Sequence, residues 1–139
     1  MADLLACDSY KLEAADPYPS SYDATVARNV REFDEDARPG IANPLTSLAG
    51  YDTVLIGSPV WAQEAPRLMR TFIDANDFGG ITVAPFVTYA VSGLGGARAE
   101  YERACAGARE VTAGLAVNGE RVRGSRAQAA EWLRQIGLL

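Results

Sequence analysis

The chain has 139 residues, a formal net charge of −5 and no histidine. That length suits one domain, residues 1–139, with a real hydrophobic core. The acidic balance argues against nucleic acid and against anionic membranes, because both bind basic surfaces. Without histidine, His-based acid–base catalysis and His-ligated metals are excluded, and two distant cysteines predict no metal site.

Signals for export or for membrane insertion are not found in the sequence. No apolar run approaches the roughly 18 residues that a transmembrane helix needs. The first residues have neither a basic n-region nor a long apolar h-region, so no signal peptide is predicted. Cys7 and Cys105 fit incidental or buried thiols in a reducing compartment. The sequence therefore predicts a cytoplasmic protein.

The first third of the chain predicts a strand, a loop and a helix. Residues 8–14 alternate between apolar and polar side chains, which favours a strand. Prolines make residues 16–20 a loop, because they fix φ and deny helix to the residue before them. Residues 21–37 predict a helix, and residues 45–48 a single turn. The apolar residues at helical spacing in that helix are Val26, Val30 and Phe33.

Beyond residue 50, apolar strands alternate with helices. The predicted strands are residues 53–57, 81–88 and 110–117. The predicted helices are residues 66–76, 96–108 and 126–136. The second of the chain's four helices has its apolar side at Leu68, Met69, Phe72 and Ile73. Such alternation is typical of an α/β fold with a parallel sheet between two layers of helices.

Two of these strands end in loops that suit a ligand. The strand at 53–57 is followed by Ser58-Pro59-Val60-Trp61, which places an aromatic ring at its carboxyl end. The strand at 81–88 is followed by a loop that contains Ser92-Gly93-Leu94-Gly95. Ligands of open α/β sheets bind at the carboxyl ends of strands, and a planar ligand would stack on such a ring. The two loops together indicate a flavin.

An ordered set of motifs resembles the flavodoxin-like family, in its short-chain flavodoxin and NAD(P)H-quinone-reductase-like branch. The resemblance covers nearly the whole chain. The residues that carry it are Pro17-Tyr18-Pro19 with Tyr22-Asp23, Arg38-Pro39, Tyr51-Asp52 before Val54-Leu55-Ile56-Gly57, Ser58-Pro59-Val60-Trp61, Ala65-Pro66, Thr71-Phe72-Ile73, Pro85-Phe86-Val87-Thr88 and Ser92-Gly93-Leu94-Gly95.

The resemblance implies a flavodoxin-like three-layer sandwich that binds FMN. It implies an electron carrier or an NAD(P)H-dependent reductase of quinone-like acceptors, and the expectation leans towards an enzyme. The partners would be a small redox substrate or a redox partner protein. No catalytic side chain is expected, because the cofactor carries the chemistry. The implied cofactor-binding residues are Ser58, Pro59, Val60, Trp61, Ala62, Thr88, Tyr89, Ser92, Gly93 and Gly95.

One part of the family pattern is missing from this sequence. The family's first strand and the loop after it, which holds the flavin phosphate, are not found, and residues 1–7 look like the end of the first helix. FMN binding is therefore in doubt on the sequence alone. Three explanations are open. The natural protein is longer, or residues 8–14 pair directly with residues 53–57, or a second chain fills the gap in a homodimer.

Several of these residues also fit a purely structural role. Trp61 fits a flavin contact or a core aromatic, and Tyr89 either stacks on the ring or fills its place. For Tyr18 and Tyr22, packing under the proline loop is favoured over a site role. The acidic run at residues 32–36 is expected to be a solvated helix face. The alternative function is a flavin-free derivative of the fold that binds another small molecule or a protein.

Overall fold

The computed structural model describes all residues, 1–139. In chain order its elements are α1 (Tyr22–Asp34), β1 (Thr53–Pro59), α2 (Arg67–Asp74), β2 (Thr82–Tyr89), α3 (Ala97–Ala104), β3 (Glu110–Val111), β4 (Leu115–Asn118) and α4 (Arg126–Gln135). A short 3-10 helix, Gly119–Gly124, precedes α4 and was not predicted. All four predicted helices are present, each ending one to four residues before its predicted end.

The sheet is parallel, and β2 lies at its centre. β1 pairs with β2 along its whole length, from Thr53 opposite Thr82 to Pro59 opposite Thr88. On the other side of β2 lie β3 and then β4. This is the three-layer α/β architecture that the alternation of strands and helices predicts, with right-handed crossovers as the general rule for parallel strands.

The predicted strand at 110–117 is interrupted by a bulge. β3 ends opposite Val83 and β4 begins opposite Phe86, so three residues of the chain face two residues of β2. The break lies opposite Pro85, which has no N–H to donate to a ladder. One carbonyl of the bulge is bonded by a side chain, because the Trp132 indole donates to the carbonyl of Ala113 at 2.8 Å.

The two faces of the sheet carry separate apolar cores. Ile56, Val83 and Val87 point to the face covered by α2 and α3, and their neighbours Leu55, Ala84 and Phe86 point to the face covered by α4. Successive side chains of a strand alternate between faces, so each apolar run serves both cores. The remaining buried members of the larger core include Met69, Phe72, Ile73, Ala97 and Tyr101. Those of the smaller core include Leu115, Val117, Ala129, Trp132 and Leu133.

The prediction of a strand at residues 8–14 is wrong. That segment has no regular structure and forms one isolated antiparallel bridge, between Ala14 and Ile41. Its backbone is held instead by the side chain of Asn43, which bonds the Glu13 N–H and the Lys11 carbonyl. The segment does not pair with β1, so the second explanation for the missing strand is also wrong. Alternation alone does not make a strand, because a strand needs a partner for its backbone groups.

The turn predicted at residues 45–48 is also wrong. Those residues are irregular, and the turn falls at residues 49–50. Gly50 has a φ of 90° there, a conformation that glycine adopts without strain. The turn therefore forms where the backbone can be left-handed and not at the apolar residues before it.

Candidate functional site

Trp61 sits at the start of a tight turn that follows β1. The Trp61 N–H donates to the Glu64 carbonyl at 2.9 Å, and the Glu64 N–H donates back at 3.1 Å. Ala62 and Gln63 between them have φ of 50° and 71°. Two left-handed residues in a two-residue turn are usually Asn-Gly, so this turn is strained. Strain of this kind is concentrated at functional sites, which makes the turn a candidate.

The turn is fastened to the loop that follows β2. The Gly96 N–H donates to the Gln63 carbonyl at 2.7 Å, and the Val60 N–H donates to the Thr88 carbonyl at 2.9 Å. Gly95 has a φ of 56°, and a Cβ there would lie 2.5 Å from the Gln63 oxygen. Only glycine allows this approach without displacing the turn. The two loops predicted to contact the ligand therefore form one unit.

The Ser58 side chain lies in the core, which leaves only its backbone for a ligand. The Ser58 and Tyr101 hydroxyls are 3.0 Å apart, and both residues are buried. Burial raises the pKa of Tyr101 well above its ordinary value, so its phenol stays protonated. Pro59 and Ala62 on either side are exposed, and Val60 and Trp61 are half-buried.

The loop after β2 presents free backbone donors. Thr88 is exposed and Tyr89 is half-buried, and the Asn118 amide donates to the Ala90 carbonyl at 3.2 Å. The N–H groups of residues 90–94, which include those of Ser92 and Gly93, donate to no acceptor in the protein. Free N–H groups near the half-buried Trp61 ring suit a flat ligand with a polar edge. Of the ten predicted residues, Ser58 and Pro59 end β1, Thr88 and Tyr89 end β2, and the other six lie in the loops that follow these strands.

A cluster that was not predicted lies behind Trp61. The Tyr18 ring meets the Trp61 ring edge-on, with centroids 5.2 Å apart and an interplanar angle of 71°. The Tyr18 hydroxyl donates to Glu32 Oε2 at 2.8 Å, and the Arg28 guanidinium lies 4.0 Å from the Tyr18 centroid. Burial, and then the hydrogen bond to Glu32, raises the pKa of Tyr18.

The cluster corrects one interpretation of the sequence. Tyr22 is 81% exposed, so it does not pack under the proline loop, whereas Tyr18 packs on Trp61. Glu32 is buried, so the acidic run is not simply a solvated helix face. One signal could have located the cluster: Arg28 and Glu32 are four residues apart on a predicted helix, which is the spacing of an ion pair.

The site fits a flavin ring better than it fits a flavin phosphate. Trp61 and the free N–H groups of residues 90–94 suit a planar ring with polar edges. A phosphate needs several free N–H groups at the start of a helix. At the start of α3 the N–H groups of Gly95, Gly96 and Ala97 all donate to protein carbonyls. These three N–H groups are therefore not available to a phosphate.

Other kinds of site find no support in the structure. No three or more His, Cys, Asp or Glu side chains are grouped so that they could hold a metal ion. None of the helices has the length and apolar character needed to cross a bilayer. Both cysteines are free, Cys7 exposed and Cys105 buried. Burial raises the pKa of the Cys105 thiol to about 11, which keeps it protonated and unreactive.

Comparisons with known proteins agree on one family. A family model described as flavodoxin matches residues 1–136. A crystal structure from Bacteroides uniformis, named as a flavoprotein, is 31% identical with a TM-score of 0.82, covering 96% of this chain and 85% of that chain. One from Bacteroides eggerthii, also named as a flavoprotein, is 26% identical with a TM-score of 0.79, covering 99% and 86%.

A more distant structure shares the fold alone. It is a flavoprotein from Lactobacillus acidophilus in complex with FMN, 20% identical with a TM-score of 0.62, covering 81% of this chain and 76% of that chain. A comparison with curated proteins found no match.

Proposed function

Because the chain belongs to the flavodoxin family, we propose that it binds FMN between its two fastened loops and acts as a redox protein. The observation that carries the proposal is Trp61. Its half-buried ring stands at the carboxyl end of β1, beside a second loop with free N–H donors. A flavoprotein in complex with FMN shares this fold, which is consistent with the proposal.

Each part of the site has a role in this proposal. Trp61 stacks on the isoalloxazine ring, and the N–H groups of residues 90–94 bind the ring's polar edge. Gly95 keeps the two loops close enough to contact the same ligand. Bound FMN would supply hydride or single-electron transfer, so the protein orients the ring, tunes it and needs no acid–base residue.

The direction of electron flow is the finer part of the proposal. We infer either a carrier between redox proteins or a reductase that takes electrons from NAD(P)H and passes them to a quinone-like acceptor. A cytoplasmic location and a possible homodimer belong to the same proposal. Stoichiometric bleaching of bound flavin by NADPH, followed by turnover with a quinone, would identify a reductase. No bleaching by NADPH or NADH would favour a carrier.

The first test is a titration of the purified protein with FMN, followed by quenching of flavin fluorescence. Trp61→Ala should weaken binding about tenfold, since an aromatic contact contributes up to about 1.5 kcal/mol. Trp61→Phe keeps a ring and should retain most of the affinity. Equal affinities in the three proteins would place the ring elsewhere and overturn the proposed site.

A glycine pair tests whether the loops act as one unit. Gly95→Ala should lower FMN affinity, because its Cβ would push the Gln63 carbonyl away. Gly50→Ala is the matched control, since Gly50 also has a positive φ but no atom within 4 Å of the added Cβ. Both variants carry backbone strain, so a difference in FMN affinity reports on the loop contact alone.

The variant Tyr89→Ala distinguishes two roles for the Tyr89 ring. If its ring stacks on FMN, Tyr89→Ala lowers the affinity for FMN. If its ring occupies the flavin's place, the same change raises that affinity. A folded protein that binds no FMN in either form would favour the flavin-free alternative, which the occupied N–H groups at the start of α3 support.

A further inference from the structure

Helix α1 buries its polar side and exposes its apolar side. Arg28, Asn29 and Glu32 are between 5% and 9% exposed, whereas Val26 and Val30 are 43% and 49% exposed. Burying an Arg–Glu pair costs desolvation that its attraction barely offsets, so such a pair adds little to stability. The buried face of α1 is better explained by what it holds in place.

Arg28 holds the proline loop that precedes α1. Its Nη1 donates to the carbonyls of Asp16 and Pro17 at 2.9 and 3.1 Å, and it lies 3.4 Å from the Asp16 carboxylate. Its Nε donates to Glu32 Oε1 at 2.7 Å. Bonds to a buried guanidinium are stronger and better oriented than neutral ones. Arg28 thus fixes the loop before Tyr18, and after it the Thr25 hydroxyl donates to the Pro19 carbonyl at 2.8 Å.

Tyr18 is clamped by the same two residues. The Arg28 guanidinium lies over its ring, and its hydroxyl donates to the second carboxylate oxygen of Glu32. The two oxygens of Glu32 thus bind Arg28 and Tyr18 separately. The Tyr18 ring has little rotational freedom left, because one of its faces and its hydroxyl are engaged and the carbonyls of Pro17 and Pro19 on either side are bonded.

Trp61 depends on an external support for its orientation. Its turn contains two strained residues, and Tyr18 is its only aromatic neighbour. We propose that Tyr18, clamped by Arg28 and Glu32, is a positioning residue that fixes the orientation of the Trp61 ring for stacking on a planar ligand. The role in stacking rests on the proposed function, whereas the order of Trp61 can be measured without any ligand.

Fluorine NMR of protein labelled with fluorotryptophan gives the first readout. The chain has two tryptophans, Trp61 and the buried Trp132, so two signals are expected and Trp61→Phe assigns them. Tyr18→Leu should move and broaden the Trp61 signal and leave the Trp132 signal unchanged. Tyr22→Leu, at an exposed tyrosine of the same segment, is the matched control and should move neither signal.

Conservative variants separate the ring contact from the clamp. Tyr18→Phe keeps the ring against Trp61 but loses the hydroxyl bond, so its Trp61 signal should lie between wild type and Tyr18→Leu. Glu32→Gln weakens the bonds that Glu32 accepts from Arg28 and Tyr18, and it should also disturb the Trp61 signal. The control is Glu35→Gln, at an exposed glutamate that makes no ion pair. An unmoved Trp61 signal in Tyr18→Leu would overturn the proposal, and so would equal movement of the Trp132 signal.

FMN affinity is the second readout. Tyr18→Leu should lower it roughly fivefold, close to the ~1 kcal/mol of one aromatic contact. If wild type binds FMN and Tyr18→Leu binds it equally well, positioning is overturned while the proposed function stands. If wild type binds none, the proposed function fails, and the fluorine signals still decide whether Tyr18 orders Trp61.

Discussion

Helices α1 and α2 lie side by side but are held by opposite means. Helix α2 buries Leu68, Met69, Phe72 and Ile73, the last three in the larger core, and Arg67 is its one buried charged residue. Helix α1 buries Arg28, Asn29 and Glu32, and none of its apolar residues belongs to either core. Apolar burial stabilises α2 in proportion to the area removed from water. The contacts of α1 are directional, so they set positions more than they add stability.

The largest expected effect is on α2. Phe72 is buried, and its ring lies 6.0 Å from that of Tyr10 and 6.1 Å from that of Phe78. Phe72→Ala should therefore lower the free energy of unfolding by ~3–5 kcal/mol, through lost apolar burial and a cavity. Urea unfolding measures this loss, and the control Phe72→Leu should lower the free energy of unfolding by only about 1 kcal/mol. A loss under ~1 kcal/mol would show that α2 is not held by its apolar face.

Removing one partner of the buried ion pair of α1 should destabilise the protein, and removing the second partner as well should restore most of the stability. Arg28→Met leaves the Glu32 carboxylate buried without its partner and should cost about 3 kcal/mol. Adding Glu32→Leu removes the stranded charge and should recover most of that stability.

The control for this series is Arg31→Met, at an exposed arginine of the same helix, which should be close to neutral in urea unfolding. Were the double variant as unstable as Arg28→Met, the pair would be a net source of stability. The contrast between α1 and α2 would then disappear.

A pH series gives a smaller effect, at Glu100 of α3, whose carboxylate contacts Ala65 and Arg67 at the start of α2. Glu100 is buried, and burial raises its pKa despite a bond from the Ala65 N–H and a nearby Arg67. A carboxyl group whose pKa is higher in the folded state binds protons more tightly there. Its contribution to stability therefore falls as pH rises from its ordinary pKa to the raised one.

Urea midpoints across this range should show that decline in wild type. Glu100→Gln keeps an acceptor for the Ala65 N–H but cannot titrate, so its midpoints should change less with pH. Parallel curves for the two proteins would contradict the raised pKa.

The smallest effect is expected on the exposed side of α1. Val30→Ala removes a side chain that is about half exposed, so the free energy of unfolding should change by no more than ~0.5 kcal/mol. Val83→Ala, at a fully buried valine of β2, is the matched comparison and should cost about 2 kcal/mol. Similar losses at both positions would mean that α1 has an apolar partner.

Much of the fold follows from local sequence patterns. The apolar side predicted for the helix at 66–76 is the side that α2 buries, and the apolar runs at 53–57 and 81–88 are β1 and β2. These patterns are reliable because the same residues form the element and bury its face. At 8–14 the pattern failed, because whether a strand forms depends on a distant partner for its backbone.

The candidate site, too, has one part that the sequence predicts and another that it does not. The sequence alone placed the predicted ligand residues in two loops, because strand ends and glycines are local features. Tertiary structure decided that Gln63 and Gly96 fasten those loops, that the Ser58 hydroxyl turns into the core, and that Tyr18 backs Trp61. Each of these is a contact between residues more than 30 positions apart in the chain. Such contacts depend on how the elements pack, which no local pattern of residues encodes.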